Sequence, residues 1–300
     1  GIASRGLGDV YKRQASMSIN VWSILKFFAY VAIIMFFLFP IAWIFNMSFM
    51  TNDEILRKVP VLFYEPTFKN YIGLWEGEIA IEGFATMYVY FKQNLINSAI
   101  LSVGSVSVTL LLGVPAAYAF ARYKFKGGED IAFTLLSFRF APALLIILPL
   151  NLYFSEIGLY DSYFALIWVY QLITLPLLLW IVRGYFEDIS PDIEYAYRLD
   201  GHSWFQSFWK ISIPLAKPGI AAASLLCFIY AWNNFVFALI LGSSQIQPVT
   251  VGALAFITAS AIPYGLIACG IVVSVLPTLI LALFIQKYLV QGLSLGAIKG

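Results

Sequence analysis

Few residues in this sequence have side chains suited to bond-making chemistry, and their spacing forms no recognised catalytic group. The chain has one histidine, His202, and two cysteines, Cys227 and Cys269, which both lie in apolar runs. An enzyme site needs a nucleophile with its base or a cluster of metal ligands, and the sequence has neither pattern. It also has no Gly-x-x-x-x-Gly-Lys-Ser/Thr run of the kind that holds nucleotide phosphates. We therefore predict no catalytic residue, no metal ligand and no cofactor held by this chain.

A second group of polar residues lies inside long apolar segments, where polarity is itself informative. Arg139 is the clearest case, because a charge inside a membrane span marks a functional position by default. Arg139, beside Pro142, is predicted to face a translocation path, to bond backbone carbonyls near a helix break, or to lie close to a membrane interface. Two interpretations also apply to four uncharged residues, which either line a path or join helices through polar contacts. These residues are Gln171, Thr174, Asn233 and Asn234.

The composition requires most of the chain to lie in a membrane. Hydrophobic residues make up 61% of the sequence and charged residues 11%, whereas soluble domains carry about 45–50% and roughly 25%. The 18 basic and 16 acidic residues leave no basic excess for nucleic-acid phosphates. The hydrophobic content also excludes intrinsic disorder. We predict an integral membrane protein that sits in a lipid bilayer and binds no nucleic acid.

Six apolar stretches are long enough to cross a bilayer, which takes about 20 residues. Each stretch is apolar on all sides, as in a lipid-buried helix, whereas barrel strands alternate between polar and apolar residues. The predicted fold class is therefore an all-α integral membrane protein with six transmembrane helices. A shorter segment, 249–261, is predicted to be partly buried or re-entrant. The six spans are 21–49, 95–120, 131–154, 163–182, 218–241 and 264–289.

Lysine and arginine residues are divided unequally between the two sets of loops. Ten lie in the set that begins with Lys26 and ends with Lys299, whereas four lie in the other set, all in one long loop. Because positive residues favour the cytoplasmic side, the first set is predicted to be cytoplasmic. Both termini of this multi-pass chain then face the cytoplasm.

The predicted topology divides the chain into a tail, a first helix, an external loop, a core and a second tail. The first tail is interpreted as a non-native scar or a cytoplasmic tail, because residues 9–14 resemble a translated sequencing adaptor. The external loop has six acidic residues, enough for a small external docking feature. The five parts are residues 1–16, 17–50, 51–93, 94–290 and 291–300, with a cytoplasmic coupling loop at 183–217 inside the core.

The cytoplasmic loop contains a pattern that predicts two short helices joined at a glycine. Ser190 is a good N-cap residue, and Pro191 suits the first position of a helix. Gly201 fits the left-handed residue that ends a helix, and Ser203 can cap a second one. Pro214 is expected to stop that second helix. The apolar second piece is either an interfacial helix on the membrane or a docking surface for a partner protein.

Ala196, Gly201 and, nine residues later, the segment 211–214 have the spacing of a known motif. They resemble the EAA motif of binding-protein-dependent ABC importer permeases. Other pieces in family order are similar to the carbohydrate-uptake branch, and within it to the maltodextrin-type second permease with a short cytoplasmic tail. The resemblance covers about residues 20–300. These pieces are residues 116–127, 149–150, 158–159, 232–235 and 292–300.

The resemblance implies the type I ABC importer permease fold with a cytoplasmic coupling helix. Such a permease of the bacterial inner membrane works with a second homologous permease, a dimer of ATP-binding subunits and an external solute-binding protein. The partner ATPases bind the ATP and Mg²⁺, so this chain is a transport subunit and not an enzyme. The residues implied in ATPase contact are Tyr195, Ala196, Arg198, Asp200, Gly201 and, in the tail, Lys299.

This sequence departs from the Glu-Ala-Ala part of the motif at two positions. The glutamate of the motif falls on Tyr195 and its second alanine on Tyr197, which puts the usual acidic contact with the ATPase in doubt. Glu194 is the adjacent residue, but it lies about 100° around the helix and cannot simply replace that glutamate.

The implied function is movement of a sugar or oligosaccharide across the membrane by alternating access, driven by ATP. One alternative substrate is a charged solute, such as a uronate oligosaccharide or a glycerol phosphate derivative, which would give Arg139 added importance. A secondary carrier is a further alternative, but the spans lack the mid-membrane Asp or Glu that proton- or sodium-coupled carriers commonly need. A membrane enzyme is the remaining alternative.

Overall fold

The computed structural model describes residues 21–59, 63–79, 87–242, 245–257 and 262–296. Within these residues the chain is helical, apart from two short antiparallel strands, β1 (Glu78–Ile79) and β2 (Met87–Tyr88). The predicted all-α class is confirmed. The predicted tail at residues 1–16, the end of segment 249–261 and Lys299 lie outside the described residues.

The described helices vary from one turn to nine turns or so in length, and short irregular turns join several of them. A 3₁₀ turn lies at Phe138–Phe140, another at Ala253–Phe256, and a π turn at Phe208–Ser212. In chain order the α-helices are α1 (Val21–Met47), α2 (Asn52–Ile55), α3 (Lys69–Glu76), α4 (Phe91–Arg122), α5 (Gly128–Ser137), α6 (Ala143–Glu156), α7 (Tyr163–Asp188), α8 (Pro191–Leu199), α9 (Trp204–Ser207), α10 (Ile213–Trp232), α11 (Val236–Leu241), α12 (Val249–Gly252) and α13 (Tyr264–Gly296).

Five helical segments in the described part of the chain are long and apolar enough to cross a membrane, and a bent pair makes a sixth. The bent pair is α5 with its 3₁₀ turn and α6, which meet at 92°. The predicted third span, 131–154, is therefore a broken one. Pro142 explains the break, because proline forces the residue before it into an extended conformation; Ala141 has ψ 134°. The five segments are Trp22–Met47, Phe91–Arg122, Tyr163–Asp188, Trp204–Trp232 and Tyr264–Gln286.

The fifth span differs from its predicted limits of 218–241, and the prediction that Pro214 stops a short helix is wrong. α9, the π turn and α10 form one helical segment of 29 residues, Trp204–Trp232. Pro214 lies in the first turn of α10, directly after the π turn. Because that turn shifts the hydrogen-bond register, the missing N–H of proline is tolerated there. The apolar residues that follow Trp232 form a separate short helix, α11.

The core is built on α4 and α7, which make the most extensive helix contact of the described residues, and α10 packs against both. Leu101 of α4 and Leu166 of α7 are buried together in one apolar cluster. Val182 and Phe186, near the end of α7, belong to another cluster with α10. By contrast, α1 packs mainly on α13 and leaves most of its apolar side chains exposed, as expected for a helix that faces lipid or a partner.

The segment that begins at residue 249 is partly buried, as predicted for its described portion. Ser98 Oγ accepts a hydrogen bond from the N–H of Val249 at 2.8 Å. Asn97 Nδ2 donates to the carbonyl of Gln247 at 3.0 Å. Gly252 approaches α4 so closely that a Cβ there would lie 1.9 Å from Asn94 Nδ2. This segment is therefore fixed to the beginning of α4.

Candidate functional site

The predicted corner of two helices joined at a glycine is present between α7 and α10. Ser190 Oγ accepts a hydrogen bond from the backbone of α8 at 3.3 Å, and Pro191 lies in its first turn. Gly201 has φ +90°, which glycine adopts without strain. Ser203 begins α9 in a reciprocal capping box with Gln206, with hydrogen bonds of 3.2 and 2.9 Å. The predicted caps at Ser190 and Ser203 and the predicted turn at Gly201 are therefore confirmed, whereas the predicted stop at Pro214 is not.

The carboxylate of Glu194 fixes the inner face of α8 to the end of α4. Arg122 forms an ion pair with it, 2.8 Å from Nη2 to Oε1, and the Tyr118 hydroxyl donates to Oε2 at 2.7 Å. Arg122 also donates to the carbonyl of Ile189 at 3.0 Å. The Arg122 and Glu194 side chains are 6% and 1% exposed. Each charged group is almost fully buried, and the opposite charge of its partner compensates for the lost water. The pair therefore holds α8 against α4.

Sequence reasoning missed this anchor, although one part of the argument pointed to it. Neighbouring residues of a helix point about 100° apart, so Glu194 and Tyr195 lie on different sides of α8. In the structure Glu194 is buried, whereas Tyr195 is 50% exposed. The overlooked signal lies on α4, where Tyr118 and Arg122 are four residues apart and therefore share a helix face. Both residues lie at the end of an apolar span, where they can reach a carboxylate on the adjoining loop.

The outer side of α8 is open to solvent, and we name it the docking face. A Cβ added at Gly201 would meet nothing within 4 Å, so the corner itself is also unobstructed. Four of the predicted ATPase contacts therefore share one exposed surface. The exposed residues of the docking face are Tyr195, Ala196, Leu199, Asp200 and Gly201.

Arg198, the remaining predicted contact on α8, lies against α9. Its guanidinium carbon is 3.7 Å from the centroid of the Trp204 ring, and the Tyr195 ring meets Trp204 edge-on at 6.3 Å. Tyr197 stacks on the ring of His202 at 4.0 Å. Cation–π and aromatic contacts of this kind stabilise the packing of one element on another. The docking face is therefore presented by a corner with fixed geometry.

Gln171 and Thr174 are buried between α4 and α7. The Thr109 hydroxyl lies 2.7 Å from Gln171 Oε1 and 2.7 Å from Thr174 Oγ1. Gln171 Nε2 donates to the carbonyl of Ser105 at 3.2 Å. The sequence allows these side chains either to line a path or to join helices. In the structure both side chains join α4 to α7. Gln171 is buried and not on an open surface, so this structure favours the helix-joining alternative, and the path alternative for Gln171 stays a prediction.

The two asparagines at the end of α10 have different surroundings. Asn233 is exposed and borders a cavity of about 500 Å³ whose walls come from α4, α10, α12 and α13. Asn234 Oδ1 instead accepts a hydrogen bond from the N–H of Phe237 at 3.2 Å, at the start of α11. The carbonyl of Asn234 accepts another from Thr250 Oγ1 at 2.8 Å. Asn233 therefore lies beside open space, whereas the Asn234 side chain holds the next helix.

Arg139 lies in the 3₁₀ turn at the break between α5 and α6, so its predicted position beside a helix break is confirmed. Its guanidinium carbon is 4.5 Å from the centroid of the Tyr230 ring on α10. The side chain is partly buried. Among the described residues it has no carboxylate partner, and the predicted bonds to backbone carbonyls are not formed.

The described part of the external loop is ordered around α2 and α3. Thr51 and Glu54 form a capping box at the start of α2, and hydrogen bonds from the Thr51 backbone and side chain lower the pKa of Glu54. Asn70 Nδ2 on α3 donates to the carbonyls of Ser48 and Met50, both at 2.9 Å. α3 is therefore attached to the end of α1. The docking role of this loop stays a prediction.

Together, these features define a helical membrane protein with a rigid, exposed helical corner at one end of its core. Residues 109–295 match the binding-protein-dependent transport system inner membrane component, and the chain belongs to this family. The prediction that it is a permease of this transport family is confirmed.

Two relatives and one solved structure show the extent of the similarity. The trehalose transport permease SugB of Mycobacterium tuberculosis is 32% identical over 266 residues, covering 88% of this chain and 93% of SugB. The trehalose/maltose permease MalG of Thermococcus litoralis is 32% identical over 265 residues, covering 88% and 92%. The crystal structure of a bacterial ABC transporter that imports the acidic polysaccharide alginate matches with a TM-score of 0.72 at 25% identity, covering 91% and 98%. The chain therefore has the fold of an ABC importer permease.

Proposed function

We propose that this chain is a permease subunit of an ATP-driven importer that moves a sugar or oligosaccharide across the bacterial inner membrane. The observation that carries the proposal is the docking face on α8, which is exposed while its opposite side is anchored by a buried ion pair. A surface built in this way is suited to receive force from a partner. The sugar class is supported by the relatives that transport trehalose and maltose.

The proposed complex contains a second homologous permease, a dimer of ATP-binding subunits and an external solute-binding protein. The docking face contacts an ATPase subunit, and Arg198 acts by holding the face against α9. Lys299 in the tail is a further proposed ATPase contact. Because ATP can favour one state of the permeases only through contacts that differ between states, the docking face must meet the ATPase differently in each.

The proposed orientation places both termini and α8 in the cytoplasm, and α3 outside. A reporter fused after Lys299 is expected to be active in the cytoplasm, whereas one inserted near Glu76 is expected to report the external side. The physical reason is that lysine and arginine residues are concentrated in the loops assigned to the cytoplasmic side. A cytoplasmic signal from the insertion near Glu76 would contradict this orientation.

Transport energetics test the proposal directly. The complete complex is placed in vesicles that contain ATP, and uptake of labelled trehalose, maltose and longer oligosaccharides is measured with and without a protonophore. We expect uptake of at least one sugar to require ATP and to be unaffected by the protonophore at constant ATP. Vesicles whose ATPase subunits cannot hydrolyse ATP are the control.

Two outcomes would contradict the proposal. Uptake that collapses with the proton gradient while ATP is constant would indicate a secondary carrier. Uptake that is unaltered when the ATPase subunits are inactive would show that the docking face transmits no ATP-driven change.

A further inference from the structure

We propose that Arg139, Tyr230 and Asn233 form a binding site for the anionic group of a saccharide, such as the carboxylate of a uronosyl unit. The inference rests on the proposed function and names the substrate class for it. The site lies where the broken span meets the end of α10.

The first argument is the missing counter-charge of Arg139. Arg122 and Arg183 both form ion pairs with carboxylates, whereas Arg139 has none among the described residues. An arginine inside a span is costly unless it pairs or faces water, and such residues mark substrate pathways. The charge of Arg139 is therefore free to meet an anion from outside the chain.

The second argument is that neighbouring helices cannot supply that anion. α10 has no acidic residue along its length, and α6 has one only at its last position, Glu156. In α5 the acidic residues lie in the first turn, and in α7 they are the last two residues. Among the described residues, none of these helices therefore offers a carboxylate along the part that passes Arg139, whereas a ligand or another subunit can supply one.

The third argument is the availability of the guanidinium donors. The guanidinium carbon lies over the Tyr230 ring, 4.5 Å from its centroid, and within the described residues its N–H groups donate to no acceptor. Those donors form a planar fork that matches the two oxygens of a carboxylate. An arginine that contacts a ring and keeps these donors available is therefore able to bind an anion.

The fourth argument is the hydrogen-bonding capacity beside the charge. Tyr230 is 45% exposed, and its hydroxyl has no partner within the part of the chain that the structure describes. Asn233 follows three residues later on the same face and donates only to the carbonyl of Ile229, at 2.9 Å, which leaves its Oδ1 available. A hydroxyl, an amide oxygen and a cation together suit a ligand that has both hydroxyl groups and a negative charge.

The fifth argument is space. Asn233 borders the cavity of about 500 Å³, which lies within the roughly 300–1,000 Å³ typical of small-molecule sites. The wall of this cavity also contains the side chains of Thr250 and Ser274. The wall includes neither Arg139 nor Tyr230, so the cavity offers room beside Asn233, at the end of α10, and not at the guanidinium itself.

The test uses the complete complex in nanodiscs without nucleotide. Equilibrium binding is measured for trigalacturonate and trimannuronate, with maltotriose as the neutral trisaccharide of equal length. We expect the wild-type complex to bind at least one uronate more tightly than maltotriose.

Arg139→Met should weaken uronate binding at least tenfold and change maltotriose binding less than twofold. Arg139→Lys should weaken uronate binding to an intermediate extent. Arg57→Met, which removes an exposed arginine of the external loop, is the matched control and should bind as the wild type does.

Several outcomes would overturn the inference. Unchanged uronate binding in Arg139→Met would remove Arg139 from the site. Loss of the second permease from the Arg139→Met complex would show that a carboxylate of that subunit is the partner. Tighter binding of maltotriose than of either uronate in the wild type would reject the anionic class but leave the sugar permease intact. Failure to bind or transport any sugar would reject the proposed function as well.

Discussion

Arg122 and Arg139 are two arginines at helix ends, each beside a tyrosine, yet their surroundings are opposite. Arg122 is 6% exposed, and its donors are taken by Glu194 and the carbonyl of Ile189. Arg139 stacks on Tyr230 and has no acceptor among the described residues. The first arginine is paired with a carboxylate within the chain, whereas the second has its donors available. Residue type alone therefore does not distinguish an arginine that anchors a helix from one that can bind a ligand. The hydrogen-bond and ion-pair partners of the side chain make that distinction.

The largest effect should follow from breaking the anchored pair. Arg122→Met leaves the carboxylate of Glu194 buried without a cation, which costs about 3–5 kcal/mol. We expect α8 to detach from α4, so that the ATPase subunits are lost on purification and the thermal unfolding temperature falls. Removing both charges in Arg122→Met/Glu194→Met should restore much of the stability, because no charge then remains buried.

Arg183→Met is the matched control for this change. Arg183 pairs with Glu129 and Glu187, whose side chains are 79% and 47% exposed, so water replaces the lost partner. This variant should retain its ATPase subunits. An equal loss in both variants would mean that the burial of Glu194 is unimportant.

A smaller and more local effect is expected at the corner of the docking face. Gly201 has φ +90°, which other residues adopt at a cost of about 1–2 kcal/mol. Gly201→Asp should insert and pair with the second permease, but it should bind ATPase subunits weakly or hydrolyse ATP without transport. Co-purification, ATPase and uptake assays measure these steps separately.

Gly158→Asp supplies the comparison for the corner. Gly158 also has positive φ, +71°, with nothing within 4 Å of an added Cβ, but it lies after α6 and far along the chain from α8. It carries similar backbone strain without a docking role, so its ATPase subunits should stay bound. Full uptake by Gly201→Asp would contradict the docking role of the corner.

The smallest effect should come from the polar contact between α4 and α7. Thr109→Val removes the hydroxyl that meets Gln171 and Thr174, and polar contacts between membrane helices contribute about 0.6 kcal/mol on average. Ser107→Ala is the control, because the Ser107 hydroxyl bonds only the carbonyl of Val103 in its own helix. A small fall in unfolding temperature for Thr109→Val alone would support the helix-joining role. A selective loss of sugar binding would return Gln171 to the path.

Features encoded by neighbouring residues could be predicted from the sequence. Apolar length alone located the first span, predicted at 21–49 and observed as α1, because burial in lipid depends on a continuous run. The caps at Ser190 and Ser203 and the turn at Gly201 were also predictable, since each follows from one residue and its backbone preference.

Features that depend on distant contacts could not be predicted in this way. The ion pair of Arg122 with Glu194 joins residues 72 positions apart. The continuation of the helix through Pro214 depends on a π turn, which no residue pattern in the loop signalled. The contact of the Arg139 guanidinium with the Tyr230 ring depends on how the bent span, with its angle of 92°, lies beside α10.

The π turn also gives the helical segment Trp204–Trp232 a mechanical property. At about 1.5 Å per residue, the arm from Lys210 to Trp204 is about 9 Å long and the arm from Lys210 to Trp232 about 33 Å. If the segment rotates as one rigid body about this turn, the displacement at Trp232 is nearly four times that at Trp204, so a shift of about 1 Å becomes about 4 Å. Under that rotation, small movements of the corner would produce larger movements beside Tyr230 and Asn233, with a corresponding reduction in force.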